Sequence, residues 1–229
     1  MSNELSNFKI TYTLIFANLL LYIVSILYTG QVVDMPAREL VDLGAIFGPK
    51  VVLGAEWWRL ITAMFLHGGM THLLMNMFSL YIIGRPMEIY FSPKSYLSIY
   101  FLTGILGGLV SISFHPVSVG VGASGAIFGI FGALSGYFFA FRQELGENAH
   151  RFMKDFAIII GINLLLGFSI PNIDVSAHAG GLISGLVGGF IVARYPQRLW
   201  LFVVIMLIVM IGYYLYLPSL YLEGILERI

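Results

Sequence analysis

The fold is decided by two glycine-rich apolar stretches, GASGAIFGIFGALSGYFFA at residues 122–140 and AHAGGLISGLVGGFIVA at residues 177–193. Glycines stand at 125, 129, 132 and 136 in the first stretch, and at 181, 185 and 189 in the second. Small residues three or four apart lie on one helix face and allow two transmembrane backbones to pack in contact. The two stretches therefore predict a pair of closely packed spanning helices.

The composition is that of an integral membrane protein. Of 229 residues, 59% are hydrophobic and only 10% are charged, and the mean hydropathy is +0.89. Soluble domains have about 25% charged residues, so the composition excludes a disordered chain, a coiled coil and a nucleic-acid-binding protein. Twelve basic residues balance twelve acidic ones. Because there is no cysteine, disulfides, a thiolate nucleophile and a cysteine-based metal site are excluded as well.

Apolar segments predict seven transmembrane helices in a single membrane domain that covers residues 1–229. A helix of roughly 17–25 apolar residues is long enough to cross a bilayer. The predicted spans are residues 10–28, 71–83, 96–114, 124–141, 156–170, 177–193 and 199–217. The fifth span is short, and residues 142–155 before it are predicted to form a solvated loop. Glu88 is expected to hold together the turn between the second and third spans. The expected fold class is an all-α, polytopic membrane helix bundle.

The distribution of basic residues predicts the orientation of these spans. Eight lysines and arginines fall on one side of the membrane and four on the other, and the loops after the third and fifth spans contain none. Basic residues are enriched in cytoplasmic loops. We therefore expect a cytoplasmic N-terminus in a cell membrane, with the outer ends of the even-numbered spans at the extracytoplasmic side.

Because successive spans alternate in direction, a serine and a histidine lie at the same depth in the membrane. The fourth and sixth spans both run from outside to inside, so Ser124 and His178 lie near the outer ends of their helices. In the second span His72 and Asn76 are four residues apart and share a face. Both side chains, and the backbone N–H of Ser124, can donate hydrogen bonds to a developing oxyanion. A serine, a histidine and such donors at one depth are what a hydrolase requires.

Several other polar residues are expected to have structural roles and not catalytic ones. His67 and His72 are five apart and point about 140° away from each other on a helix, which is a poor arrangement for a chelating pair, so no metal site is expected. We expect His67 to bond a backbone carbonyl. Asp174 is interpreted as an acid favoured by the dipole at the start of the sixth span, rather than as the third member of a triad. Trp57, Trp58 and Arg59 are interpreted as an interfacial anchor, with the indoles at headgroup level.

This constellation resembles the rhomboid family of intramembrane serine proteases. The resemblance is carried by Gly122-Ala123-Ser124-Gly125 and by AHAGGLISG at residues 177–185. The histidines and asparagine of residues 67–76, and the Trp-Arg pair at 58–59, fit the same family. The match extends over about residues 57–193, in the right order and spacing.

The resemblance implies a six-helix core at about residues 10–195 and an added seventh helix at about residues 199–217. It implies that Ser124 is the nucleophile and His178 the general base, at the bottom of a water-filled cavity open to the outside. His72, Asn76 and the Ser124 N–H would form the oxyanion hole. The implied substrates are other transmembrane proteins, entering beside the fifth span, and no cofactor is implied.

One position departs from the family pattern. Many members have tyrosine four residues after the nucleophile, with its ring stacked against the catalytic histidine, and here that position is Phe128. The ring face is retained, so stacking can persist without the hydroxyl. Inactive members typically lose the serine or the histidine, and this chain keeps both.

Two alternative functions compete with proteolysis. The first is a catalytically silent membrane chaperone or binding scaffold on the same fold, for which Ser124 and His178 would be dispensable. The second is a small transporter or channel. Transport pathways use acidic or paired ionisable residues deep within the spans. The spans here contain histidine and asparagine but no acidic residue at depth. The scaffold is therefore favoured over the transporter or channel.

Overall fold

The described part of the chain is a bundle of long helices joined by short helical turns. The computed structural model describes residues 8–169 and 174–226, with the side chains of residues 163–169 and 220–226 outside that description. In chain order the helices are α1 (Lys9–Thr29), α2 (Ala37–Leu43), α3 (Arg59–Thr62), α4 (Met70–Tyr90), α5 (Pro93–Phe114), α6 (Ser124–Ala140), α7 (Arg142–Leu145), α8 (Glu147–Ser169), α9 (Val175–Arg194) and α10 (Leu199–Leu226). Two short strands, β1 (Ile46–Phe47) and β2 (Val119–Gly120), pair antiparallel. Each predicted span corresponds to one long helix, and the all-α membrane bundle is confirmed.

The apolar helices make this a membrane protein. By length and composition, α1, α5, α9 and the segment of residues 196–219, which includes most of α10, are long and apolar enough to cross a bilayer. Helix α6 is apolar but shorter, with 17 residues. Helices α4 and α8 have 21 and 23 residues and carry charged side chains near one end.

The prediction of a loop at residues 142–155 is wrong, because the helix that contains the fifth span begins well before the span. Residues 142–155 form α7 and the first turns of α8, which reaches 23 residues. The ring of Phe152 stacks on Phe138 of α6 at 3.8 Å and 14°, and Phe156 is buried one turn further along. These aromatic contacts hold the charged start of α8 against α6, so the helix begins well before its apolar segment. Ile170, the predicted end of the span, lies outside the described residues.

Glu88 caps a helix, so the expectation that it holds a turn together is wrong. Helix α4 continues through Pro86 to Tyr90, which places Glu88 inside it. The carboxylate oxygens of Glu88 accept hydrogen bonds from the backbone N–H groups of Ile10 and Thr11 at 3.1 and 2.7 Å. Those N–H groups belong to the first turn of α1 and have no partner within that helix. Glu88 therefore fixes the start of α1 to the end of α4.

The segment between α1 and α4 is held by Arg59, whose interpretation as an interfacial anchor is wrong. Arg59 is buried, its guanidinium pairs with the Glu56 carboxylate at 2.6 Å, and it donates to the carbonyl oxygens of Val41 and Ala45. The same segment contributes β1, which pairs with β2 a few residues before Ser124. The hydrogen bonds of Arg59 order this segment, and its pairing with β2 supports the backbone that leads into α6.

Helices α6 and α9 form the largest helix–helix interface among the described residues. A Cβ atom added to Gly181, Gly185 or Gly189 would overlap a backbone carbonyl oxygen of α6, belonging in turn to Gly125, Gly129 and Ala133. On the other side, a Cβ on Gly132 or Gly136 would overlap a carbonyl oxygen of α9. The predicted backbone contact between the two glycine-rich helices is confirmed.

Replacing Gly185 with alanine is expected to lower the unfolding temperature in detergent by several degrees. The added methyl group would overlap the Gly129 carbonyl oxygen and force α6 and α9 apart. Overpacking of a tight interior costs about 1–3 kcal/mol. Gly212→Ala on α10 is the matched control, because no atom lies within 4 Å of a Cβ built there. Equal unfolding temperatures for the two variants would contradict the packing interpretation.

Candidate active site

Ser124 and His178 meet at the adjacent ends of α6 and α9. Ser124 is the first residue of α6, and His178 lies in the first turn of α9. The glycine contacts bring the two helix ends together, so that Ser124 Oγ and His178 Nε2 are 2.8 Å apart. This distance is that of a hydrogen bond between a hydroxyl and a ring nitrogen. A serine hydrogen-bonded to an imidazole is the arrangement from which a nucleophile can be activated.

Phe128 fixes the plane of the histidine ring. Phe128 follows Ser124 by four residues, one turn further along the same face of α6. Its ring lies parallel to the His178 imidazole, with centroids 4.2 Å apart and an interplanar angle of 8°. The stacking anticipated from the retained ring face is present. It restricts rotation of the imidazole while leaving Nε2 directed at Ser124.

His72 approaches the segment that precedes Ser124. The Gly68 N–H donates to His72 Nδ1 over a long 3.4 Å, which leaves Nε2 to carry the proton in the neutral ring. Nε2 faces Gly122, since a Cβ on that glycine would lie 2.7 Å from it. His67 is fully buried and packs against His72 with ring centroids 5.1 Å apart and an interplanar angle of 67°. Neither His67 ring nitrogen makes a hydrogen bond of ordinary geometry, but the backbone of Phe65 lies close enough to the ring for a weak one, in keeping with the expected backbone contact.

Gly122 allows the close approach of His72. Gly122 has φ +119°, a conformation that side-chain-bearing residues rarely adopt, and its N–H donates to the Ala63 carbonyl at 2.9 Å. Any side chain at this position would collide with the His72 ring. At Gly125 a Cβ would lie 3.7 Å from the Ala177 carbonyl oxygen, so α6 and the start of α9 are in contact here.

Asn76 lies on the same face of α4 as His72 and is almost fully buried. Its Nδ2 donates to the His72 carbonyl oxygen at 2.9 Å, and its Oδ1 has no hydrogen-bond partner. An amide nitrogen carries two hydrogens, and this bond uses one of them. The second hydrogen can be donated to an acceptor that enters the site.

Asp174 caps α9 and does not contact the imidazole through its carboxylate. Oδ1 accepts from the Ala177 N–H at 3.0 Å and from the Ser176 hydroxyl, and Oδ2 accepts from the Ser111 hydroxyl of α5. Burial raises the pKa of the Asp174 carboxyl, but these hydrogen bonds and the nearby imidazole of His115 lower it by more, so the net pKa lies below its ordinary value. The expectation of an acid at the helix start is therefore met.

Ser111 is the site residue that sequence reasoning missed. It lies 63 positions before its partner Asp174, near the end of α5, and is buried. A serine in an apolar span usually bonds a carbonyl of its own helix, so only its position one turn before the end of the span could have drawn attention to it. Within residues 8–169 and 174–226, no three His, Asp or Glu side chains are close enough together to hold a metal ion.

The fold and the site together define a class: a polytopic helical membrane protein with a serine–histidine pair where two glycine-rich helices begin. The family model described as the rhomboid domain matches residues 54–195, more than half of the chain. The chain belongs to the rhomboid family.

Three relatives illustrate the similarity. RHOMBOID-like protein 6, mitochondrial, of Arabidopsis thaliana is 40% identical over 164 residues, which cover 72% of this chain and 53% of that protein. RHOMBOID-like protein 5 of the same plant is 38% identical over 179 residues, which cover 73% of this chain and 57% of that protein. Rhomboid protease GluP of Bacillus subtilis is 40% identical over 146 residues, which cover 61% of this chain and 27% of that protein. The chain thus spans about half the length of the plant relatives it matches.

Proposed function

We propose that this chain is an intramembrane serine endopeptidase that cuts other transmembrane proteins, with Ser124 as the nucleophile and His178 as the general base. The observation that carries the proposal is the 2.8 Å separation of Ser124 Oγ and His178 Nε2, with the imidazole stacked on Phe128. A bacterial relative in the same family carries the name rhomboid protease. Neutral imidazole at hydrogen-bond distance from a hydroxyl is the requirement for general-base activation.

The proposed reaction proceeds through an acyl-enzyme. As Ser124 Oγ bonds to the scissile carbonyl carbon, its proton passes to His178 Nε2. The tetrahedral intermediate then breaks the C–N bond, and His178 returns the proton to the leaving amine. A water molecule next gives a proton to His178 and attacks the ester. Collapse of the second intermediate releases the new carboxyl end and restores the Ser124 hydroxyl with the proton from His178.

The proposed oxyanion hole consists of the Ser124 N–H, the His72 ring and the Asn76 amide. The Nε2 atom of His72 carries a proton in the tautomer that its Gly68 contact favours, and it faces the loop before Ser124. Donors that are already oriented towards the developing negative charge lower the barrier without reorganising at the moment of reaction. In this role Gly122 admits the His72 ring, and Gly125 lies in van der Waals contact with the start of α9.

The proposed substrates are membrane proteins whose chain unwinds near the cut. Hydrolysis needs water and an ionic transition state, and polar groups are tolerated at membrane depth only where they face protein or a hydrated cavity. An intact helix hides its carbonyl carbons behind its own hydrogen bonds. We therefore expect small or helix-destabilising residues next to the scissile bond.

A serine-hydrolase probe tests the proposed nucleophile. A fluorophosphonate should label the wild-type protein, and Ser124→Ala should abolish the labelling because the reacting oxygen is gone. Ser135→Ala is the matched control, since Ser135 lies on the same helix, is buried and has an unpartnered hydroxyl. Labelling that persists in Ser124→Ala would overturn the assignment. A folded wild type that neither reacts with the probe nor cuts several transmembrane substrates would instead favour the silent scaffold.

We further propose that the N-terminus is cytoplasmic and that the site opens to the extracytoplasmic side of a cell membrane. The eight-to-four bias of lysine and arginine supports this orientation. One plant relative has mitochondrial in its name, so the family alone does not determine which membrane holds the chain. Reporters fused at Ile229 and within residues 142–155 should report opposite sides. If both report the cytoplasm, one of the intervening helices does not cross.

A further inference from the structure

Asp174 links the first turn of α9 to α5. Its backbone carbonyl accepts the His178 N–H at 3.2 Å, and its side chain caps the Ala177 N–H at 3.0 Å. The other carboxylate oxygen accepts the Ser111 hydroxyl. One half-buried side chain therefore fixes both the start of the helix that carries His178 and the position of that start against α5.

The packing around this link is tight. A Cβ on Gly107, one turn before Ser111, would lie 2.8 Å from the Ala177 carbonyl oxygen. A Cβ on Gly180 would lie 3.0 Å from the Val110 side chain. Glycine contacts let helices approach, but they are not directional and allow one helix to rotate or slide along the other. The hydrogen bonds of Asp174 are directional, so they select one rotation and one axial setting for the first turn of α9.

We propose that Asp174 is a positioning residue for the serine–histidine pair, acting through the cap of α9 and through Ser111, and this proposal rests on the proposed function. The carboxylate holds the first turn of α9 where His178 Nε2 meets Ser124 Oγ. It does not act as the third member of a catalytic triad, because both of its oxygens are engaged by Ser111, Ser176 and the Ala177 N–H. A misplacement of about 1 Å in a reacting group can cost roughly 10²-fold in rate.

Comparing Asp174→Ala with Asp174→Asn distinguishes the capping hydrogen bonds of Asp174 from its negative charge. Asp174→Ala removes both links and should lower kcat by about 10- to 100-fold, with KM little changed, because the reacting pair and not the substrate surface is disturbed. Asp174→Asn should restore most of the turnover. Asparagine is as good an N-cap as aspartate, and its amide can still hydrogen-bond the Ser111 hydroxyl.

Ser92→Ala is the matched control for helix capping. Ser92 caps α5 by accepting the Ser95 N–H at 3.2 Å, at the end of that helix remote from Ser111. Both capping variants should lower the unfolding temperature to a similar degree, but only Asp174→Ala should lower kcat. Ser111→Ala should lower kcat in the same direction and should add little to Asp174→Ala, because the two residues form one link.

The outcomes separate this inference from the proposed function. If the wild type cleaves its substrate and Asp174→Ala has wild-type kcat, the positioning role is wrong. If Asp174→Asn is as slow as Asp174→Ala, the charge matters and the capping account is overturned. If Ser92→Ala loses as much kcat as Asp174→Ala, the effect is general destabilisation and the inference fails. A wild type that does not cleave at all, with no labelling of Ser124, contradicts the proposed function and with it the role of Asp174.

Discussion

Replacing Ser124 or His178 with alanine is expected to reduce cleavage of a transmembrane substrate to the background rate. The loss should approach the roughly 10⁶-fold effect known for the corresponding residues of a soluble serine protease. The double variant should be no slower than either single variant, because a base without its nucleophile, or a nucleophile without its base, contributes nothing further. Single-turnover rates with wild-type and variant proteins in the same detergent would measure this.

The control for the histidine is His150→Ala, which removes an exposed imidazole at the start of α8. It should leave the cleavage rate unchanged. Two results would contradict the paired mechanism: a double variant that is much slower than both single variants, or a His178→Ala protein that retains a substantial part of the wild-type rate while it is folded.

The second large effect is expected at Asn76. Removing one oxyanion donor from a serine protease typically costs about 10²–10³ in turnover, or about 2.7–4 kcal/mol. Asn76→Ala should therefore cleave slowly but measurably, with KM and probe access to Ser124 nearly unchanged, because the lost hydrogen bond forms only in the transition state. His72→Ala should behave similarly, although its ring also packs against His67.

Asn18 offers a close control for this experiment. It is a fully buried asparagine on α1, and its Nδ2 donates to the Leu14 carbonyl of its own helix at 2.7 Å. Its side chain also lies beside the Tyr100 hydroxyl of α5. Its bond to the carbonyl four residues earlier is the same as that of Asn76, but it lies away from the site. Asn18→Ala should share the cost in stability and keep wild-type turnover. If Asn76→Ala also keeps wild-type turnover, Asn76 is a packing residue and the oxyanion assignment fails.

The depth of the site residues could be predicted from the sequence because depth follows from local patterns. Apolar runs mark the spans, and alternation of direction places the starts of α6 and α9 on one side. The spacing of glycines along one face then predicts that these two helices touch. All three patterns lie within segments of about 20 residues, where helix geometry relates each side chain to its neighbours.

Several features of the fold could not be predicted because they depend on residues far apart in sequence. Glu88 caps a helix 77 residues earlier, and Arg59 bonds carbonyl groups up to 18 residues away. The extent of α8 depends on aromatic stacking against α6, which a pattern of charges in residues 142–155 does not reveal. In each case the neighbours of the residue in sequence do not reveal its partner, because the partner belongs to another element.

By itself, the sequence determined the membrane bundle, the contact between α6 and α9, and the common depth of Ser124 and His178. Only the tertiary structure decided how the imidazole is oriented, with Phe128 against its face, Nε2 at 2.8 Å from Ser124 Oγ, and Asp174 bound to Ser111 instead of to the ring. The physical reason is that periodicity fixes the position of a residue along its helix and the face on which it lies. The rotation of one helix against another is set by directional contacts between distant segments.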